Sequence, residues 1–299
     1  MDLRWGFWQV PIRETDKCKT AFITSDGLYE YNKMPFGLKN SPPTFQHMID
    51  AVLAGLRYSF CLVYVDDIIV FSHTFKEHMD HVSHVLDRPQ IAGLRAKSSK
   101  CKFAVPSLKY LGHVVSGDGI KVDIHKIDKL QDWPLPTTVK QLQSFLGFAN
   151  YYRAFVPQIS QICQPLYQLA KKGAVWDWTP RCATAFHAVV ESLVNTVMLH
   201  HYEDGRPLIV SCDASKYGLG AVLEMVQENG NRVPLMFASR LLNLAEQNYS
   251  NTEREGLAVV WAIENFSSFL WNLEFTVETD HSALIQLRLK GGLNGRWAR

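Results

Sequence analysis

Residues 60–72 read Phe-Cys-Leu-Val-Tyr-Val-Asp-Asp-Ile-Ile-Val-Phe-Ser. Two apolar, β-rich runs flank the adjacent acids Asp66 and Asp67. This pattern predicts a hairpin that carries both carboxylates at its turn. An ionised carboxylate among apolar strands is costly without a partner, so the pair implies either bound cations or solvent at a turn. Asp is a common turn residue, and the local pattern alone leaves the second explanation open. A third acid, Asp2, precedes another β-rich segment, for which a strand over 7–12 is predicted. Three carboxylates brought together could hold two Mg²⁺ ions, the arrangement that serves phosphoryl transfer.

Working outward, 299 residues correspond to about two domains. With 47% hydrophobic and 20% charged residues, the composition is globular and excludes bulk disorder, a collagen-like chain and a disulfide scaffold. The formal charge of +2 neither demands nor excludes a nucleic-acid partner, because a basic groove can sit on a neutral whole. MDLRWGFWQV lacks a signal-peptide core, and no apolar stretch approaches the roughly 20 residues that span a bilayer. The six cysteines form no C-x-x-C pair, which predicts a reduced intracellular protein, cytoplasmic or nuclear and not secreted, without a zinc site or a membrane partner.

The remaining pattern is α+β. A strand is expected at 20–23 and a helix from Ser41-Pro42 with Ser as its cap. A helix over 75–86 should end at Pro89, and a hairpin should turn at 116–119. Trp133-Pro134-Leu135-Pro136 breaks the chain before a helix capped by Thr137 or Thr138. A second helix is expected over 159–170, and Lys171-Lys172-Gly173 is the expected domain boundary. Thr179-Pro180 opens another helix. Strands follow at 207–212, 220–226 and 233–239, then a long helix over 251–270, a strand at 275–278 and a helix near Ser282. A second acid set, Asp213, Glu255 and Asp280, falls at a strand end, a helix first turn and a strand end. Each also has an ordinary explanation as a turn or helix-terminal acid. His78, His81 and His84 recur every third residue and read as a solvated helix face rather than a metal site.

DLRWGFWQVPI, KTAFIT, MPFGLKNSPPTFQ, YVDDIIVFS, SKCKF and YLGHVVS occur in this order, and the set closely resembles the reverse-transcriptase core of gypsy-type LTR retrotransposon Pol polyproteins. WPLPTTVKQLQSFLGFANYYRAFV, WDWTP, CDASKYGLGAVL, FASRLLN, NYSNTEREGLAVVWAIE and TVETDHSAL carry the resemblance through the ribonuclease H region, so that it covers essentially the whole chain.

The resemblance implies a palm over 1–120 with an antiparallel sheet and helices, a helical thumb- or connection-like segment over 121–172, and a mixed α/β ribonuclease H-like domain over 173–299. It implies RNA-directed DNA polymerase and ribonuclease H chemistry, with two Mg²⁺ per site and Mn²⁺ as a substitute. Asp2, Asp66 and Asp67 would hold the metals of the first site, and Asp213, Glu255 and Asp280 those of the second. Lys100 matches a lysine that acts near the pyrophosphate as a proton donor. Phe7 occupies a steric-gate position against a ribose 2′-hydroxyl. Phe36, Gly37 and Tyr64 fall where the incoming nucleotide and primer end are bound. Gly112 and His113 resemble a primer-grip hairpin, and Tyr151-Tyr152 reads as core more than as a stacking platform. The implied partners are an RNA template, a DNA primer, an RNA–DNA hybrid, dNTPs and other Pol or Gag products.

The chain begins at the first of these aspartates, without the family's preceding fingers segment, and stops ahead of the family's fourth nuclease carboxylate. Gly256 replaces a usual Leu, and Pro89 interrupts a usual helix. These departures imply a chain that extends primers poorly by itself. They leave a second reading open, an inactive or domesticated remnant that only binds nucleic acid or a protein partner.

Overall fold

The computed structural model of the chain describes residues 1–131 and 133–284. It divides into two compact units, Met1–Pro106 and Ser107–Arg299. The architecture is α+β, as expected. Among the described residues no helix is long and apolar enough to cross a membrane.

In the first unit the Asp-Asp hairpin forms as the sequence predicts. Cys61–Tyr64 pairs antiparallel with Asp67–Val70, Tyr64 facing Asp67 across a two-residue turn. Cys61 and Val63 point inward, and the alternate residues Leu62 and Tyr64 point to solvent. The helix Ser41–Val52 starts one residue earlier than a Ser41 cap would have it, with Asn40 before it and Pro in its first turn. It buries Phe45 and Ile49 against the hairpin together with Leu53. A second helix, Phe75–Ile91, opens on a Thr74–Glu77 capping box and buries Val85.

Two expectations fail here. Residues 7–12 are not a strand: Gly6–Gln9 is a helical turn entered through Trp5 in the left-handed region. Isolated bridges flank the turn instead: Asp2 pairs with Asp67 and Leu3 with Ala96 ahead of it, and Pro11 pairs with Lys33 after it. The β propensity of the Phe-Trp-Gln-Val run yields to packing, because the turn seats Phe7 against Phe45 at a ring distance of 5.5 Å. Pro89 also fails to end its helix, which runs on to Ile91. So close to the C-terminus its missing N–H forfeits a single bond, and its ring is buried. The strand expected at 20–23 lies at Phe22–Thr24, paired with Gly27–Tyr29.

In the second unit the single hairpin expected around 116–119 is a three-stranded meander, Ser107–Tyr110, His113–Ser116 and Ile120–Val122. Its extra turn is Leu111-Gly112, both with positive φ, the combination that suits a tight two-residue hairpin. Thr138 caps the helix Val139–Tyr151. The expected 159–170 helix is split into Ile159–Ile162 and Gln164–Leu169, with Pro165 in the first turn of the second piece, where its missing N–H costs no helical bond. Thr179 caps Pro180–Val194 as predicted. One apolar core, including Leu142, Phe145, Leu166, Phe186, Val189 and Leu193, runs across 171–173 without interruption.

A four-stranded sheet follows, in the order Arg232–Leu241, Gly218–Val226, Leu208–Ala214, Phe275–Glu278. Phe275–Glu278 is parallel to Leu208–Ala214 and the other pairs are antiparallel. The expected 251–270 helix stops at Asn265 and resumes as the short turn Ser267–Leu270. Ala258 and Ala262 bury its face in the sheet core. The helix expected near Ser282 falls on residues that, past 284, lie outside the described ones.

The meander is tied to the chain following Pro180–Val194 by reciprocal backbone bonds between Ile120 and Leu199, of 2.7 and 3.0 Å. A Cβ on Gly119 would lie 2.2 Å from the Leu199 carbonyl oxygen. Gly119→Ala should therefore destabilise the second unit by about 1–3 kcal/mol, read as a lower denaturant midpoint. An unchanged midpoint would show that the junction yields freely.

Candidate active sites

The left-handed backbone of Val65 closes the Asp-Asp hairpin. A β-branched residue resists that conformation, and the turn is secured by Gln46, whose Oε1 accepts the Val65 N–H at 2.7 Å. Asp66 then occupies the turn itself, and Asp67 opens the return strand. Asp2 is laid alongside by its bridge to Asp67 and by the Leu3 N–H on the Asp66 carbonyl at 3.3 Å. The charges of Asp2 and Asp67 reach Asp66. Burial above all, then these two like charges, push its carboxyl above the usual carboxylate range, and Lys100 partly offsets them. The Asp66 Oδ1 atom is buried and has no hydrogen-bond partner. Lys100 Nζ lies 3.0 Å from Asp2 Oδ2.

Gly6 makes this arrangement possible, and it escaped the sequence reading. A Cβ there would lie 2.0 Å from Asp66 Oδ1 and 2.9 Å from the Phe45 ring. The signal was present as a lone Gly in an otherwise bulky apolar run, Trp5-Gly6-Phe7. Gln46 was missed as well; its only mark is a polar residue beside Phe45 on the buried face of a helix.

Phe7 is buried, its ring 5.3 Å from Phe36 and 5.5 Å from Phe45. Phe36 and Tyr64 are exposed. Gly37 adopts φ +91 in open surroundings. His78 and His81 share Ser72 Oγ through their Nδ1 atoms, at 3.3 and 2.7 Å. They are not part of any metal-ligating trio among the described residues.

In the second unit, Gly112 and His113 shape the tight hairpin. The Tyr151 hydroxyl donates to the Leu111 carbonyl at 2.6 Å and the Tyr152 hydroxyl to that of Gly112 at 3.2 Å. Tyr152 is buried and Tyr151 exposed. The His113 ring sits among Tyr151, Tyr152 and Phe155, and burial lowers its pKa.

The other acids converge more closely. Asp213 lies near the end of Leu208–Ala214, Asp280 just beyond the parallel strand Phe275–Glu278, and Glu255 in the helix laid on that sheet. Ser250 and Glu253 form the capping box that fixes the start of this helix. Each of the three acids brings an oxygen within 4.8 Å of the others, the one such trio among the described residues. Asp2, Asp66 and Asp67 form a more open set. Glu255 is buried, and its Oε2 has no hydrogen-bond partner. Burial first, then the charges of Asp213 and Asp280, raise its pKa, opposed by His281 and by a backbone bond from Ala214. Burial and the same three acids push the neighbouring Cys212 thiol up to about 12, so this cysteine is inert as a nucleophile.

The second set fits a divalent cation, and the first is not drawn together closely enough to form such a trio. Hard carboxylate oxygens suit Mg²⁺. A buried carboxylate oxygen without a donor, at Glu255, is the expected mark of a ligand atom, whereas the one at Asp66 is packed against Gly6.

Comparison with known proteins matches these features in order. Residues 1–115 match the family of reverse transcriptase (RNA-dependent DNA polymerase), and residues 178–277 match the RNase H-like domain found in reverse transcriptase. The Pol polyprotein of Drosophila melanogaster transposon 297 is 38% identical over 95% of this chain, and the Tf2-3 polyprotein of Schizosaccharomyces pombe 32% identical over 95%. The chain spans 26% and 22% of their lengths. A foamy viral protease–reverse transcriptase in complex with double-stranded DNA superposes with a TM-score of 0.83 at 26% identity, over 99% of this chain and 53% of that one. In complex with an RNA/DNA hybrid, the foamy viral enzyme superposes with a TM-score of 0.77, over 99% of this chain and 41% of its own. The fold is thus that of a reverse transcriptase joined to an RNase H-like domain. The chain belongs to the Pol polyproteins of gypsy-type LTR retrotransposons.

Two expectations follow from the sites. Gly6→Ala should displace the Asp66 carboxylate and lower primer extension about 100-fold, while Gly147→Ala, at an open helical position, should leave extension unchanged; equal effects would remove Gly6 from the site. The second concerns pH. The folded chain holds the Glu255 proton more tightly than the unfolded chain, so ionised Glu255 costs stability as pH rises through its raised pKa. In EDTA, Glu255→Gln should melt above the native chain at neutral pH. That advantage should shrink as pH falls below the usual carboxylate range, and the Mg²⁺-dependent gain in melting temperature should be smaller in the variant than in the native chain. A native chain that outlasts the variant without metal would contradict this.

Proposed function

We propose that the chain supplies both chemistries of reverse transcription: template-directed DNA synthesis at Asp2, Asp66 and Asp67, and hydrolysis of hybrid RNA at Asp213, Glu255 and Asp280. The observation that carries the reading is the second trio, whose buried member has an oxygen without a donor. A protein with no use for a cation gains nothing from such a cluster, because like charges in a water-poor site raise one another's pKa.

When bound, Mg²⁺ supplies an acidified water or hydroxyl nucleophile and neutralises charge on the transferring phosphate. The remaining work belongs to the protein. Asp213 and Asp280 are exposed at strand ends and face the substrate, while Glu255 anchors the trio from the helix. At the first site the hairpin holds Asp66 inside and Asp67 at the surface. Lys100, beside Asp2, is a proton source for the departing pyrophosphate. The Phe7 ring is held between Phe36 and Phe45, so it forms a wall that cannot swing away from a 2′-hydroxyl. The exposed Tyr64 contacts nucleic acid at the first site, and in the second unit the tyrosine-braced Gly112–His113 hairpin grips a primer strand. RNA template, DNA primer, RNA–DNA hybrid and dNTPs are the partners this requires. The hybrid is recognised through shape, phosphates and 2′-hydroxyls.

The two activities should separate by mutation. Asp213→Asn should abolish Mg²⁺-dependent cleavage of hybrid RNA and spare primer extension, and Asp67→Asn should do the reverse. Cleavage that survives Asp213→Asn would remove the nuclease assignment. A native chain that binds hybrid without cutting or extending it would favour the binding-only remnant.

A further inference from the structure

Gln158 lies outside both matched segments, yet its side chain ends in the second acidic set. It precedes the helical turn Ile159–Ile162 with φ +49 and ψ 26, a left-handed conformation that a Gln side chain adopts at a cost. The segment is pinned from both sides. Ser160 donates through its N–H to Ser239 Oγ at 3.0 Å and through its hydroxyl to the Ser239 carbonyl at 2.9 Å. Arg153 Nη2 donates to the same carbonyl at 3.3 Å, and Ile159 is buried in the core. From there the Gln158 side chain passes over Gly220, the cross-strand partner of Asp213. A Cβ on Gly220 would lie 3.2 Å from Gln158 Cγ, tighter than most packed contacts, so that the Gln158 side chain would have to shift by a few tenths of an ångström. The path ends with Gln158 Nε2 donating to Asp213 Oδ2 at 3.4 Å.

We infer that Gln158 is a positioning residue of the nuclease site: its carboxamide fixes the orientation of the Asp213 carboxylate, and the glycine opposite Asp213 exists to let it through. The inference rests on the proposed nuclease role of the trio. A neutral donor is the partner this position calls for. It orients a carboxylate without cancelling the charge a cation needs, as Lys or Arg would, and without adding to the repulsion, as Glu would. The left-handed backbone agrees with a local cost retained for function. The connection ahead of the RNase H-like domain is thus part of its active site.

The test uses the full chain in an Asp66→Asn background, so that Mn²⁺ binding reports the second set. Gln158→Gly removes the amide and relieves the backbone. It should melt at or above the parent temperature, bind Mn²⁺ about 10-fold more weakly, and need correspondingly more Mg²⁺ for half-maximal cleavage of hybrid RNA. Gln158→Asn tolerates the left-handed backbone but is one methylene short of Asp213, and it should show the same loss. Unchanged Mn²⁺ affinity and Mg²⁺ requirement in a folded Gly or Asn variant would overturn the inference. Asp213→Asn separates the two levels. If it leaves Mn²⁺ binding and cleavage intact, the nuclease reading itself fails; if it abolishes both while the Gln158 variants match the parent, only the role of Gln158 fails.

Discussion

Like-charged carboxylates are held together by apolar scaffolds in this protein, at a standing cost in the folded state. At each site one acid is drawn out of water and two stay closer to it: Asp66 with Asp2 and Asp67, Glu255 with Asp213 and Asp280. The buried member carries the raised pKa and the oxygen without a donor. Such a site is an unfavourable piece of structure that the surrounding packing must overdetermine.

The overdetermination takes a different form in each unit. The first set hangs on a two-residue hairpin turn that Val65 enters against its steric preference and that Gln46 holds. The hairpin is backed by Phe45 and Ile49, and its acid fits only because Gly6 has no side chain. The second set draws on three elements with rigid supports: two parallel strands in register and a helix fixed by a capping box. The closer convergence of the second trio follows from this. A parallel strand pair aligns its ends, whereas a turn and an isolated bridge leave more room between carboxylates.

Glycines carry much of the geometry. Gly6 clears a carboxylate, Gly119 clears a carbonyl, and Gly220 clears the path of Gln158. Gly6 and Gly220 are needed for what approaches them rather than for backbone freedom, and Gly119 is needed for both, since it also adopts φ +151. That is why a substitution at any of them acts on a neighbour distant in sequence, by 60, 80 and 62 residues respectively.

The sequence by itself determined the α+β class, the Asp-Asp hairpin, the capped helices after Thr138 and Thr179, and the strand at 275–278. Each depends on contacts between near neighbours: alternation of apolar residues, a hydroxyl on a nearby N–H, a proline in a first turn. It also determined the family, through motifs in fixed order. Only the tertiary structure decided the rest. Residues 7–12 have the propensity of a strand, yet 7–9 lie in a helical turn and only Pro11 makes a bridge, because seating Phe7 on Phe45 outweighs a preference that itself depends on context. Pro89 stays helical because the cost of a lost N–H depends on what remains downstream. That Asp280 meets Asp213 depends on a parallel pairing across 67 residues, Glu278 with Ser211, and the roles of Gly6 and Gln158 depend on what lies opposite them. No local pattern encodes such encounters, since their energy resides in the contact between segments and not in either segment alone.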